Sequence, residues 1–224
     1  MNEPIDIGNL VLAIGALGTA SFALVDATKI GWHGGISNSG FGFIAACINK
    51  LLLADRRGEL LDILHSHWIN GTKLVDQKAI AKSLLKLKLL KETAGHFAAA
   101  THVDPEMLTQ VANCMQEGTA LNEKQSNTLG RFDLYLTALI DAAYQKADQR
   151  YRNSAKLLAS IIAIVLSICG GWAVSEHADK PFFWTSFMAI SVLCGLLATP
   201  LAPISKDLTS ALQAGVKVAQ AIRK

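Results

Sequence analysis

The side chains best suited to chemistry are six histidines, four cysteines and a few serines beside a glycine-rich run. His33, His65, His67, His96, His102 and His177 include no pair at the i, i+4 spacing that sets two metal ligands on one helix face, as in H-E-x-x-H. His65 and His67 are two residues apart, which on a helix points their imidazoles about 200° from one another. Cys47, Cys114, Cys169 and Cys194 form no C-x-x-C pair, so they read as small buried apolar side chains. Cys169 and Cys194 sit in separate apolar stretches, and antiparallel packing of these would offset them in depth by roughly 10 Å, beyond disulfide reach. The run GWHGGISNSGFG from Gly31 to Gly42 reads as a turn at the cytoplasmic membrane surface; it contains His33, Ser37 and Ser39, and Cys47 follows it. A nucleophile needs a base arranged beside it, and there is no G-x-S-x-G elbow. Nor is there a G-x-x-x-x-G-K-[ST] or G-x-G-x-x-G phosphate loop. These residues predict no catalytic, metal or cofactor site.

The elements that would position such groups are dominated by three uncharged apolar stretches, Ile7–Val25, Leu157–Ser175 and Pro181–Ser205. Each has about the ~20 residues that a helix needs to cross a ~30 Å hydrocarbon core. The chain is 51% hydrophobic and 17% charged, against ~25% charged for a soluble domain. Most of the charge lies between Lys29 and Lys156, so the middle has the composition of a domain in water. This predicts an all-α, three-pass membrane protein divided into residues 1–28, 29–156, 157–205 and 206–224. A net charge of +3 is too small to imply nucleic acid, and basic residues beside membrane spans report orientation first.

Met1 to Asp6 holds two acids and no Lys or Arg, unlike a secretory leader with its basic n-region, so Ile7–Val25 is kept as a span. Lys146, Arg150, Arg152 and Lys156 precede the second span, whereas the Glu176–Lys180 hairpin has a single Lys. Lys206, Lys217, Arg223 and Lys224 follow the third. The positive-inside bias then predicts a cytoplasmic middle domain and C-terminus, and an outside N-terminus. Trp32 and Trp184, near span ends, suit the interface.

Within the spans, small and hydroxylated residues carry the remaining signal. Gly15, Thr19 and Ala23 repeat every four residues, as do Ala16 and Ala20, a spacing that permits close helix approach and is also common small-residue content. Gly170-Gly171 predicts close approach or a kink. No ionisable group lies inside the three stretches, which argues against substrate-coupled transport by this chain alone. Ser160, Ser167, Thr185, Ser186, Ser191 and Thr199 are the polar residues from which a pore would be lined.

The middle predicts an interfacial or buried helix over Phe41–Ala54, then helices over Gly58–Asn70, Thr72–Glu92 and Asp104–Glu117. Asp104-Pro105-Glu106 supplies an N-cap acid, a first-position proline and a first-turn acid. A long helix opens near Asn122, buries Leu129, Phe132, Leu136, Leu139 and Ala143, and runs without a break through the second span. Lys78, Lys82 and Lys86 share one face opposite Ile80, Leu84 and Leu87. That face fits either contact with anionic lipid headgroups or the solvated side of a bundle helix. Thr199-Pro200 and Pro203 are expected to end or kink the third span. Beyond them Ile204, Leu208, Leu212, Gly215, Ala219 and Ile222 make an amphipathic helix that packs on the long helix or on a neighbouring subunit.

From Arg131-Phe-Asp133 through Tyr144, Arg150-Tyr151-Arg152 and Lys156, across the hairpin to GLLATPLAP and Asp207-Leu208, the chain resembles a group of uncharacterised three-pass bacterial inner-membrane proteins. The resemblance covers residues 129–213 and implies topology, with no activity. In topology alone the chain is similar to proton-driven stators of the ExbB/TolQ type, although SIIAIVLSICGGWAV and LLATPLAPIS carry no acid. The reading that follows is a non-enzymatic, homo-oligomeric inner-membrane scaffold, whose partners are the lipid bilayer, copies of itself and another membrane or cytoplasmic protein. The alternatives are a homo-oligomeric channel and a stator-like subunit working with a one-span partner.

Overall fold

The computed structural model describes residues 7–31, 34–177 and 181–222. The acidic N-terminus, Trp32, His33, Lys180, Arg223 and Lys224 lie outside the described residues, as do the side chains of His177, Lys206, Lys217 and the stripe from Leu208 to Ile222. The described chain is helical throughout, with no strand: α1 (Ile7–Gly31), α2 (Asn38–Leu51), α3 (Ala54–Ile69), α4 (Leu74–Leu87), α5 (Lys91–Thr101), α6 (Pro105–Glu117), α7 (Glu123–His177) and α8 (Ser186–Ile222). It divides into two compact units, Met1–Ile36 with Arg152–Lys224, and Ser37–Tyr151.

In the Ser37–Tyr151 unit, five helices and the first part of α7 enclose one core. Ile44, Ile48, Leu64, Leu85, Phe97, Leu108, Phe132 and Leu136 are all buried there. Phe97 meets Phe132 edge to face at 5.7 Å. Local chemistry sets the helix ends. The Asp104 carboxylate accepts the Met107 amide at 2.8 Å and starts α6, and Gly118, in the left-handed region at φ 68°, stops it. The start of α7 is a reciprocal cap: Asn122 Oδ1 accepts the Gln125 amide and Gln125 Oε1 accepts the Asn122 amide, each at 2.9 Å.

Two sequence expectations change here. The stretch Thr72–Glu92 is two helices, because the Thr93 hydroxyl accepts the Leu90 amide at 2.9 Å and donates to the Lys88 carbonyl at 2.6 Å. That local bonding competes with the helical ladder and opens α5. The glycine run is a turn over only part of its length, marked among the described residues by Gly34 at φ 97° and Gly35 at φ 49°. Asn38 to Gly42 already belong to α2. A Cβ on Gly40 would overlap the Ala147 carbonyl oxygen and lie 2.8 Å from the Trp68 ring, so the absence of a side chain lets α2 seat against α7. Ile44, Ile48 and Leu51 place α2 in the bundle core.

Tyr144 completes this core with an unsatisfied atom. It is 1% exposed, and its hydroxyl has no hydrogen-bond partner among the described residues. Burial, with a smaller contribution from the Cys47 thiol, pushes the phenol pKa upward. Tyr144→Phe removes the unpaired hydroxyl and keeps the ring beside Trp68. It is expected to stabilise the protein by roughly 1 kcal/mol; a lower midpoint in urea unfolding would show that the hydroxyl is bonded.

In the other unit α1 packs along α8, and the rest of α7 runs antiparallel to α8. Three helices are long and apolar enough to cross a membrane, α1 over Leu10–Thr28, α7, and α8 over Ser186–Ile204. The α1 segment reaches further than the sequence stretch and takes in Asp26 near its end. Leu157, Ile161, Val165, Trp172, Ile190 and Leu193 remain about half or more exposed, a continuous apolar surface of the kind that lipid covers. Trp184 is 97% exposed just before α8.

The apolar segment of α8 ends at Ile204, beside the prolines as expected, but the helix does not. α8 continues through Pro200 and Pro203 as one helix of 37 residues. Each proline removes one amide donor, and the rest of the ladder carries the helix across both positions. α7, in turn, is unbroken over 55 residues, about 80 Å at helical rise.

Candidate functional site

The best-defined constellation is the set of contacts among the apolar helices. α1 turns Gly15, Gly18, Ser21 and Val25 inward, a stripe at spacings of three and four. Gly18 is the closest approach: a Cβ there would overlap the Ala198 carbonyl oxygen of α8 and lie 3.0 Å from the Ala202 Cβ. Of the residues singled out from sequence in this helix, Gly15 is buried, whereas Ala16, Thr19, Ala20 and Ala23 are exposed. Ala16, Ala20 and Ala23 lie ~140–200° round the helix from Gly18. Gly18 and Ser21 belong to a three-residue row, Gly15-x-x-Gly18-x-x-Ser21, that the four-residue repeat conceals.

Between α7 and α8 the hydroxyls and glycines interlock. The Ser160 hydroxyl meets that of Thr199 at 3.0 Å, and Ser167 donates to the Ser191 carbonyl at 2.7 Å. Ser191 itself donates to the Phe187 carbonyl at 3.0 Å. A Cβ on Gly171 would overlap the Ser191 hydroxyl, and one on Gly195 would stand 2.5 Å from the Ile164 Cα. Gly170 faces open space. Thr185 donates to the Phe182 carbonyl at 2.7 Å in the turn before α8, and Ser186 is exposed at the first turn. Four of the six hydroxyl residues read as pore-lining thus meet at one helix interface. Gly195 is a contact that its surroundings, Leu193-Cys-Gly-Leu196, do not announce.

The lysine face of α4 meets carboxylates of α7. Lys78 pairs with Asp141 at 3.0 Å, Lys82 with Asp133 at 2.6 Å, and Lys86 with the other Asp133 oxygen. The order, 78 to 141 and 86 to 133, makes α4 antiparallel to α7. Asp133 lies well before the apolar stretch Leu157–Ser175. Partial burial pushes its carboxyl pKa up, but the two ammonium groups outweigh this and hold it below the ordinary value. A depressed folded-state pKa contributes stability that is present above the unfolded value near ~4 and is lost as pH falls through the folded one. Asp133→Asn is expected to cost about 1 kcal/mol at pH 7, because all three side chains are partly solvated. That difference from wild type should shrink below pH ~4, measured by thermal unfolding across pH; a constant gap would mean the ion pairs contribute nothing.

The chemistry-bearing residues are dispersed. His65 bonds Asn38 at 2.9 Å, His67 bonds Thr72 at 3.2 Å, and His102 ends α5 in the left-handed region at φ 55°. The Ser37 carbonyl accepts the Trp68 indole at 2.7 Å. Cys47 contacts the Leu139 carbonyl at 3.7 Å, and burial pushes its thiol pKa up against the opposing influence of Lys50, away from the reactive thiolate. All four cysteines are free. Among the described residues no three His, Cys, Asp or Glu side chains come together as a metal site.

No protein-family model, no curated protein and no solved structure matches this chain.

Proposed function

We propose that this chain is a non-enzymatic scaffold of a bacterial inner membrane. It crosses the bilayer three times, with the N-terminus outside and the Ser37–Tyr151 bundle and C-terminus in the cytoplasm, and works as an assembly of several copies. The observation that carries the reading is how the polar residues of the apolar helices are used. Ser160, Thr199, Ser167 and Ser191 bond at the α7–α8 interface, Gly18 and Gly195 allow backbones to approach, and Gly171 makes room for the Ser191 side chain. Small residues and hydroxyls at such positions are how membrane helices associate where no hydrophobic force drives them together. α8 uses one face of α1, and the small residues Ala16, Ala20 and Ala23 remain exposed on the far face, where the helix of another copy fits. Exposed Arg150, Arg152 and Lys156 support the orientation through the positive-inside bias.

The test is the mass of the purified protein in lipid nanodiscs. The expected result is a discrete multiple of the 24.0 kDa chain, with no unitary currents in planar bilayers. A clean monomer overturns the scaffold reading. Unitary currents replace it with a channel, and stoichiometric co-purification of a one-span protein bearing a membrane acid replaces it with a stator.

A further inference from the structure

We infer that a cleft among α1, α7 and α8 is a binding site for an anionic phospholipid, with Lys156 holding the headgroup phosphate. This rests on the reading that these helices lie in a bilayer, and on neither the orientation nor the copy number. The cleft encloses about 670 Å³, within the roughly 300–1,000 Å³ of ligand-sized clefts. Its walls are mainly apolar, with Phe22 from α1 and Pro203 from α8, and its polar lining includes Thr19, Lys156, Ser160 and Thr199. Lys156 immediately precedes the apolar stretch of α7, and Pro203 lies next to the end of the apolar segment of α8. The cleft therefore stands at the depth where hydrocarbon gives way to headgroups.

The chemistry is matched to one occupant. Lys156 is exposed and has no ion pair among the described residues, so its ammonium is available to an anion. Beside it the Ser160 hydroxyl bonds the Lys156 carbonyl at 2.9 Å and meets the Thr199 hydroxyl at 3.0 Å, which makes this end of the cleft polar. Pro203 lacks an amide hydrogen, so the carbonyl of Thr199, a lining residue, loses the donor a regular helix supplies. It suits a headgroup hydroxyl such as those of glycerol. The apolar walls below accept an acyl chain. A soluble anion would use Lys156 and leave those walls wet, and a second protein helix would leave the ammonium unanswered. Basic pockets between membrane helices are a known form of lipid recognition.

The experiment is native mass spectrometry of the full chain titrated with phosphatidylglycerol, phosphatidylcholine and inorganic phosphate. Wild type is expected to bind phosphatidylglycerol more tightly than phosphatidylcholine. Lys156→Gln should weaken phosphatidylglycerol about fivefold, the worth of one surface cation, and leave phosphatidylcholine unchanged. Thr19→Trp should block both lipids by filling the cleft. The Thr19 hydroxyl bonds only within α1, to Gly15 at 3.0 Å, so the α7–α8 bonds survive the change. Arg150→Gln, a basic residue outside the cleft, should alter nothing. Equal affinity for the two lipids, an Arg150→Gln loss as large as that of Lys156→Gln, or indifference to Thr19→Trp each overturns the site. Displacement of lipid by equimolar phosphate reassigns it to a soluble anion, and loss of lipid on self-association reassigns it to a second copy. Release of the chain from membranes by alkaline carbonate would instead sink the membrane reading on its own.

Discussion

Replacing Gly18 with leucine is expected to pull α1 away from α8 and to lower the protein's melting temperature in detergent more than any other single glycine substitution in the apolar helices. A Cβ at this position overlaps the Ala198 carbonyl oxygen and comes within 2.7 Å of the Ala198 carbonyl carbon. Those are backbone atoms of a helix, so no side-chain rotation relieves the clash and α1 itself must move. Overpacking of an adaptable core costs typically 1–3 kcal/mol. Here the rigid obstacle places the effect at the top of that range, and the Gly15, Ser21 and Val25 contacts are lost with it. The control is Gly170→Leu, whose Cβ meets nothing within 4 Å and whose helix propensity improves. Equal melting temperatures for the two variants would mean that α1 does not pack on α8 through Gly18.

Phe132→Ala is the second large effect, and it belongs to the Ser37–Tyr151 bundle. The ring is 0% exposed and stands edge-on to Phe97, so truncation removes apolar burial, an aromatic pair and the support of α5 together. Phe→Ala at such positions costs about 3–5 kcal/mol, a large share of the 5–15 kcal/mol that holds a typical domain together. Hydrogen exchange of the intact chain should show α5 and the Glu123–Tyr151 part of α7 exchanging at least a hundredfold faster. Leu134→Ala, two residues along and 72% exposed, should leave both unchanged. Matching protection in the two variants would show that the core is not built on Phe132.

The sequence reads most clearly where one physical signal acts alone. α7 is legible because Leu129, Phe132, Leu136 and Ala143 keep a helical period with no proline before Pro181. α6 is legible because Asp104-Pro105 can hardly start anything but a helix. The break before α5 is hidden, since it depends on one threonine hydroxyl and involves neither proline nor glycine. The prolines of α8 mark the end of its apolar segment at Ile204 but not the end of the helix, which runs on to Ile222. Small-residue rows are ambiguous for a geometric reason. Three-residue and four-residue ridges both run along α1, and only the crossing with α8 selects Gly15, Gly18 and Ser21 over Gly15, Thr19 and Ala23. The lysine face of α4 is ambiguous in charge, because the carboxylates that meet Lys78, Lys82 and Lys86 lie some fifty residues or more downstream.

On the proposed membrane reading, the hydroxyl bonds of the apolar helices have a consequence for how the chain enters a bilayer during synthesis. Thr19, Ser21 and Thr28 of α1 each donate to a carbonyl of their own helix. α1 can therefore leave the translocation machinery alone without carrying those polar hydrogens bare into hydrocarbon. Ser167 of α7 donates to the Ser191 carbonyl of α8, a partner that does not yet exist when α7 emerges. On that reading the Ser167 bond forms only once α8 packs against α7, so it closes the hairpin after both helices have been made.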